Sequence, residues 1–173
     1  MAWTASNIST AAMCCILNGN AAISDTGTPG PFYAASSTQS FSGDTVNCAL
    51  YNNSVTTATA STDTLAHNAY LAAGGQWVAA NELSTGGGYT VGGVAVTPKA
   101  ETFAGTNVAK FTSSGTPQWT TASFSAYGAL VYDNTITNKY VYCWNYFGGV
   151  QTVTSGTFTI NWNASGIFAI TCT

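Results

Sequence analysis

Residues 78–97 read VAANELSTGGGYTVGGVAVT, and five of the chain's 18 glycines fall between positions 86 and 93. How this stretch is read decides the fold. It is a cradle for phosphate, a flexible linker, or a backbone device inside a sheet. A phosphate loop needs GxxxxGK[ST], and no lysine follows Gly88 or Gly93. A dinucleotide fingerprint needs GxGxxG between a strand and a helix. Here the third glycine is missing after Gly86 and Gly88, and the residues that follow are strand-like. A linker would lack apolar neighbours, yet Tyr89, Val91, Val94 and Val96 are interleaved. What remains is a turn over Gly86, Gly87 and Gly88, then a strand kinked or bulged at Gly92 and Gly93. Glu82, just upstream, is expected to accept backbone N–H groups around that turn.

Outward from this device the chain reads as strands. TVNCALY at 45–51 alternates Val46, Cys48 and Leu50 with Asn47, Ala49 and Tyr51. YTVGGVAVT, NVAKFT, QWTTASFS, YGALVYDN, KYVYCWNYF, TVTSGTFTINW and GIFAITC follow as short β-rich runs. Turn residues separate them: Asp133 with Asn134, Gly148 with Gly149, Ser165 with Gly166. Residues 52–64 read as a polar loop and 65–75 as a short helical or irregular link ended by Gly74 and Gly75. The N-terminal region differs. STAAMCCILN at 9–18 has a capping Ser9, good helix formers and a stop at Gly19, which predicts a short helix. Residues 24–43 carry Pro29 and Pro31 and no periodicity, so they read as an arm. Its Phe32, Tyr33 and Phe41 are candidates for docking on a neighbour. The expected fold is mainly β: an antiparallel β-sandwich or flattened barrel over 45–173, preceded by a helix and Pro-rich arm over 1–44.

Composition narrows the function. A chain of 173 residues is most simply one β domain behind its arm, and it can bury a substantial core. Charged residues are 5% of the chain, against roughly a quarter in ordinary soluble domains. Lys99, Lys110 and Lys139 face six acids, there is no arginine, and the formal net charge is −3. Binding nucleic acid is excluded, because neutralising phosphates needs Lys and Arg. The Thr-, Ser-, Asn- and Gly-rich surface suits a crowded assembly or the outside of a particle. The N-terminus shows no secretory signal, and no apolar run reaches the roughly 18–20 residues of a membrane span. The expectation is synthesis in a cytoplasm without membrane insertion. Cys14, Cys15, Cys48, Cys143 and Cys172 have no CxxC spacing and read as buried thiols; a Cys48–Cys143 bridge requires neighbouring strands.

Little in the chain points to catalysis. His67 follows Asp63 by four residues, but no GxSxG elbow is present. Glu82 and Asp63 are the best carboxylate pair for glycoside chemistry, and nothing sets them across a cleft. With one histidine and dispersed acids, no metal site and no cofactor are expected. The Asn-x-Ser triplets at Asn7, Asn52 and Asn163 are what an Asn- and Ser-rich chain produces by chance. The aromatic residues are the stronger candidates. In KYVYCWNYF, strand alternation puts Tyr140, Tyr142, Trp144 and Tyr146 on one face, as a core layer, a subunit interface or a sugar platform.

ANELSTGGGYTVGGVAVT resembles the ANE-x-S-G-x-G-Y-x-x-G-G signature of a family of tailed-phage virion proteins. VNCALYNN is similar to that family's first core strand, YGALVYDN to a later one, and TVTSGTFTINWNASGIFAI to its closing strands. The likeness covers roughly residues 45–171 in the family's order. Two features depart from it: the Pro-rich arm, and Asn145 where the family often has an acid before an FGG-like turn. The resemblance implies a non-catalytic β-sandwich on the virion, most simply a decoration or cement protein of the outer capsid. Its partners would be the major capsid protein and copies of itself, with a trimer as the expected closed form. A tail or tail-fibre component and a carbohydrate-binding adhesin are the alternatives.

Overall fold

The alternation of TVNCALY makes β2 (Val46–Tyr51) an inner strand, buried on both faces except at Asn47. The computed structural model describes residues 6–8, 43–55, 69–72, 75–103 and 108–171. Within these the chain forms strands and no helix. Besides β2 they are β1 (Asn7–Ile8), β3 (Val94–Ala95), β4 (Lys99–Phe103), β5 (Val108–Ser113), β6 (Gln118–Asp133), β7 (Val141–Thr159) and β8 (Phe168–Thr171). They make two antiparallel sheets, ordered β1-β7-β6-β2-β3 and β4-β5-β8, in a sandwich-like arrangement without barrel closure.

Each face of the larger sheet has its own core. Val46, Cys48 and Leu50 join Val131, Cys143 and Trp119 against Phe111, Ile167 and Phe168 from the smaller sheet. Phe111 and Phe168 stack there at 4.3 Å between centroids. On the opposite face Ala49, Tyr51, Leu130, Val141 and Trp144 pack under Tyr70 and Trp77 of the irregular segment that follows β2. Trp77 lies edge-on to Tyr51 at 5.3 Å and tilted against Trp144 at 5.4 Å.

Several expectations change at the β6–β7 hairpin. QWTTASFS and YGALVYDN form one strand, and Gly148 with Gly149 is not a turn but lies inside β7. Ala126 faces Gln151 and Gly128 faces Tyr146, so the single residue Tyr127 opposes residues 147–150. Both glycines have positive φ, +79° and +156°, which lets the extra residues loop out while the ladder resumes. A second irregularity corrects the aromatic face. Val131 pairs with Cys143 and Tyr132 with Val141, which leaves Tyr142 as an extra residue. The bulge flips the alternation: Tyr142 joins the core of Cys143, whereas Trp144 joins that of Val141. Strand β4, KAETF, had no counterpart among the expected runs, because Lys99 and Glu101 break its apolar pattern.

Cys48 and Cys143 are free and buried on the same face. Cys48 pairs with Val131, which pairs with Cys143, so β6 separates their strands. Two strand spacings, roughly 10 Å, exceed the Cα separation a disulfide spans. Burial pushes both thiols above their ordinary range, Cys143 up to about 12. The expected helix over 9–18, arm residues 24–42 with Phe32, Tyr33 and Phe41, and Cys14, Cys15, Cys172, Asp63 and His67 lie outside the described residues.

Candidate functional site

The signature segment folds against the β2–β3 edge of the larger sheet, and Glu82 is its centre. A turn closed by Asn81 N–H and Glu82 N–H on Val78 O, at 3.0 and 3.2 Å, delivers Glu82 opposite Tyr51. Asn52 N–H to Asn81 O and Leu83 N–H to Leu50 O, at 2.9 and 3.0 Å, tie this segment to the end of β2. The side chain thereby enters the interior, 2% exposed.

A carboxylate there would be costly unless its lone pairs were occupied. They are. Oε2 accepts from the Tyr70 hydroxyl at 2.8 Å; Oε1 accepts from the Tyr89 hydroxyl and from Gly92 N–H, both at 2.6 Å. The network continues outward. Tyr89 Oη accepts Leu50 N–H at 3.0 Å, and Gly92 O accepts from Tyr132 Oη at 2.9 Å and from Asn47 Nδ2 at 3.1 Å. The rings of Tyr70 and Tyr132 stack at 4.1 Å, with Lys139 Nζ 5.4 Å from the Tyr70 centroid. Burial, and then the hydrogen bond to Glu82, raises Tyr70 and Tyr89 above the ordinary phenol range. Tyr132 is pushed up to about 12, chiefly by burial. All three therefore keep their protons and serve as donors.

The glycines supply the backbone that this network grips. Gly86 and Tyr89 exchange hydrogen bonds at 2.9 and 3.0 Å around a tight turn in which Gly87 and Gly88 have φ of +56° and +83°. Two positive φ values in a two-residue loop are the mirror-image turn that asks for glycine. Ser123 N–H then docks on Gly87 O at 2.8 Å, pinning the turn to β6. Gly92 and Gly93, φ +94° and +70°, form a turn closed by Gly93 N–H on Thr90 O at 3.0 Å. This turn leads into β3 rather than kinking it. A Cβ on Gly93 would collide with the Cys48 carbonyl.

A second buried carboxyl, Asp133, ends β6. It accepts Thr135 N–H at 2.8 Å and sits 3.5 Å from the Tyr142 hydroxyl. Burial, with a smaller push from the nearby Asp44 charge, raises it to about 6 against the lowering effect of the Thr135 N–H.

Of the aromatic candidates, Tyr140, Tyr142 and Trp144 are buried within the chain and Tyr146 is half-buried. The sequence did not single out Tyr70, Tyr132 and Asn47, which stand 12 to 45 residues from their partners and carry no local signal. The buried acid, the hydroxyls and the glycine turns together make a fastener. Three protein donors already engage the carboxylate. No family model, curated protein or solved structure matches the chain.

Proposed function

We propose that this protein is a structural component of a tailed-phage particle and acts as a decoration or cement protein on the outer capsid surface. Its partners on this reading are the major capsid protein and further copies of itself, and its work is adhesion without cofactor or catalysis. The observation that supports it is the use made of the ANELSTGGGYTVGG segment. Glu82, Tyr89, Gly92 and the Gly86 turn are engaged in holding the sandwich together, which is what a load-carrying coat component requires of its most distinctive residues.

Charge distribution supports the same reading. Two of the six acids, Glu82 and Asp133, are internal, so even fewer charges reach the surface than the composition suggests. Lys99, Glu101 and Lys110 all sit on β4 and β5 of the smaller sheet. The larger sheet is left with broad surfaces of Ser, Thr and Gln that can be desolvated against a lattice without stranding a charge. The glycan-binding alternative draws less support, because three of the four rings on the aromatic strand are core residues.

Immunogold electron microscopy of purified particles, with antibody to this protein, is the test. Label spread over the head is the expected result. Label confined to the tail would make it a tail component, and unlabelled particles would overturn the virion reading.

A further inference from the structure

The sheet edges of the described structure are not alike. Strands β1 and β3 have two residues each and β8 has four, while β4 carries Lys99 and Glu101. Short length and charge are the usual protections of an edge strand against pairing with another chain. Strand β7 has neither, although it bulges between Val153 and Gly156, where Ser155 takes φ +50° and donates its N–H to Ser123 Oγ of β6 at 2.9 Å. It runs for 19 residues, and β1 pairs only with its Cys143 and Trp144, next to which the Ser6 hydroxyl accepts Tyr146 N–H at 2.7 Å. From Phe147 to Thr159 no described strand pairs with its outer side. No Asp, Glu, Lys, Arg or Pro occurs anywhere in residues 140–173. Val150, 49% exposed, stands at the start of this run.

We propose that two copies of this chain pair antiparallel along the outer edge of β7, residues 150–159, about a two-fold axis. An isologous contact sets one list of residues against itself, so any charge near the axis meets its own copy. This edge has none. It offers exposed Thr154, Ser155 and Thr157, short hydroxyl side chains that allow close approach and bond across an antiparallel pair, while the Thr152 hydroxyl is held by Ser125 Oγ of β6 at 2.8 Å. Pairing would join two five-stranded sheets into one continuous sheet and satisfy the outward backbone groups of β7. The arrangement is a two-fold dimer rather than the trimer expected from the sequence. It concerns the contact between copies alone and holds with or without a capsid, so the immunogold test and the one below fail separately.

The experiment is sedimentation velocity on the full chain, on Thr154→Lys/Thr157→Lys, and on Thr154→Asp/Thr157→Asp, with Thr102→Lys on β4 as control. The wild type and the control should sediment at twice the chain mass. Each double variant should lose the dimer and sediment at the chain mass. An equimolar mixture of the Lys and Asp variants should restore the dimer, because opposite charges then face across the axis; restoration also shows that both variants are folded. A monomeric or trimeric wild type, a dimer that persists in both variants, or a mixture that stays monomeric would overturn the proposal.

Discussion

At its β3 edge the larger sheet is fastened by a buried carboxylate and closed by a glycine turn, whereas at its β7 edge residues 147–159 run uncharged and without a described partner strand on their outer side. The first edge spends polar groups inward. Glu82, three tyrosine hydroxyls and Asn47 hold one loop against β2, and the cost of burying a charge is offset by donors in place. The second edge spends small hydroxyl residues outward, and a Cβ added at Gly148 or Gly149 would meet nothing within 4 Å. One edge is built to stay closed, the other to meet something.

Glu82→Ala should have the largest effect. It leaves two tyrosine hydroxyls and Gly92 N–H buried without their acceptor, at a cost of about 3–5 kcal/mol in urea unfolding. Glu82→Gln keeps one acceptor oxygen and should cost about 1–3 kcal/mol. If alanine were tolerated within 1 kcal/mol or so, the carboxylate would not be the fastener. Next come two glycines with similar φ and different surroundings. Gly93→Ala adds a collision with the Cys48 carbonyl to the strain of positive φ and should cost about 2–3 kcal/mol. Gly148→Ala, φ +79° in open space, carries the strain alone, about 1 kcal/mol. Equal losses at the two sites would erase the contrast between the edges.

A pH-dependent effect follows from Asp133. Its carboxyl is raised from 3.8 to about 6, so the folded state holds a proton that the unfolded chain has released. Stability should therefore fall as pH rises from 3.8 to about 6 and level off above. Asp133→Asn, which keeps an acceptor for Thr135 N–H, should flatten that slope in thermal melts across this range. The smallest effect belongs to the β7 edge: Thr154→Ala, exposed, should change the stability of the monomer by no more than about 0.5 kcal/mol. A larger loss there would mean that the edge is already covered within the chain.

Much of this was written locally. The alternation of Val46, Cys48 and Leu50 with Ala49 and Tyr51 specifies a buried strand, since a period of two sends successive side chains to opposite faces. The glycines at 86–88, flanked by β-rich residues, specify a turn, because their positive φ is a property of the backbone at those residues. The mainly β, two-sheet character follows from the spacing of such runs. Tertiary structure decided the rest. Where β6 and β7 slip against each other at Tyr142 and at residues 147–150 depends on a partner strand, and that slip assigned Tyr142 and Trp144 to different cores. A charged, apolar-poor segment such as KAETF becomes a strand only because β5 is beside it. Glu82 meets Tyr70, Tyr89 and the Gly92 amide across 7 to 12 residues of chain, and Asn47 and Tyr132 reach the Gly92 carbonyl across 40 or more. That Glu82 would accept a backbone N–H beside the glycines was legible locally; the contacts across 40 or more residues are set by how the sheet brings segments together, and no local pattern of residues encodes them.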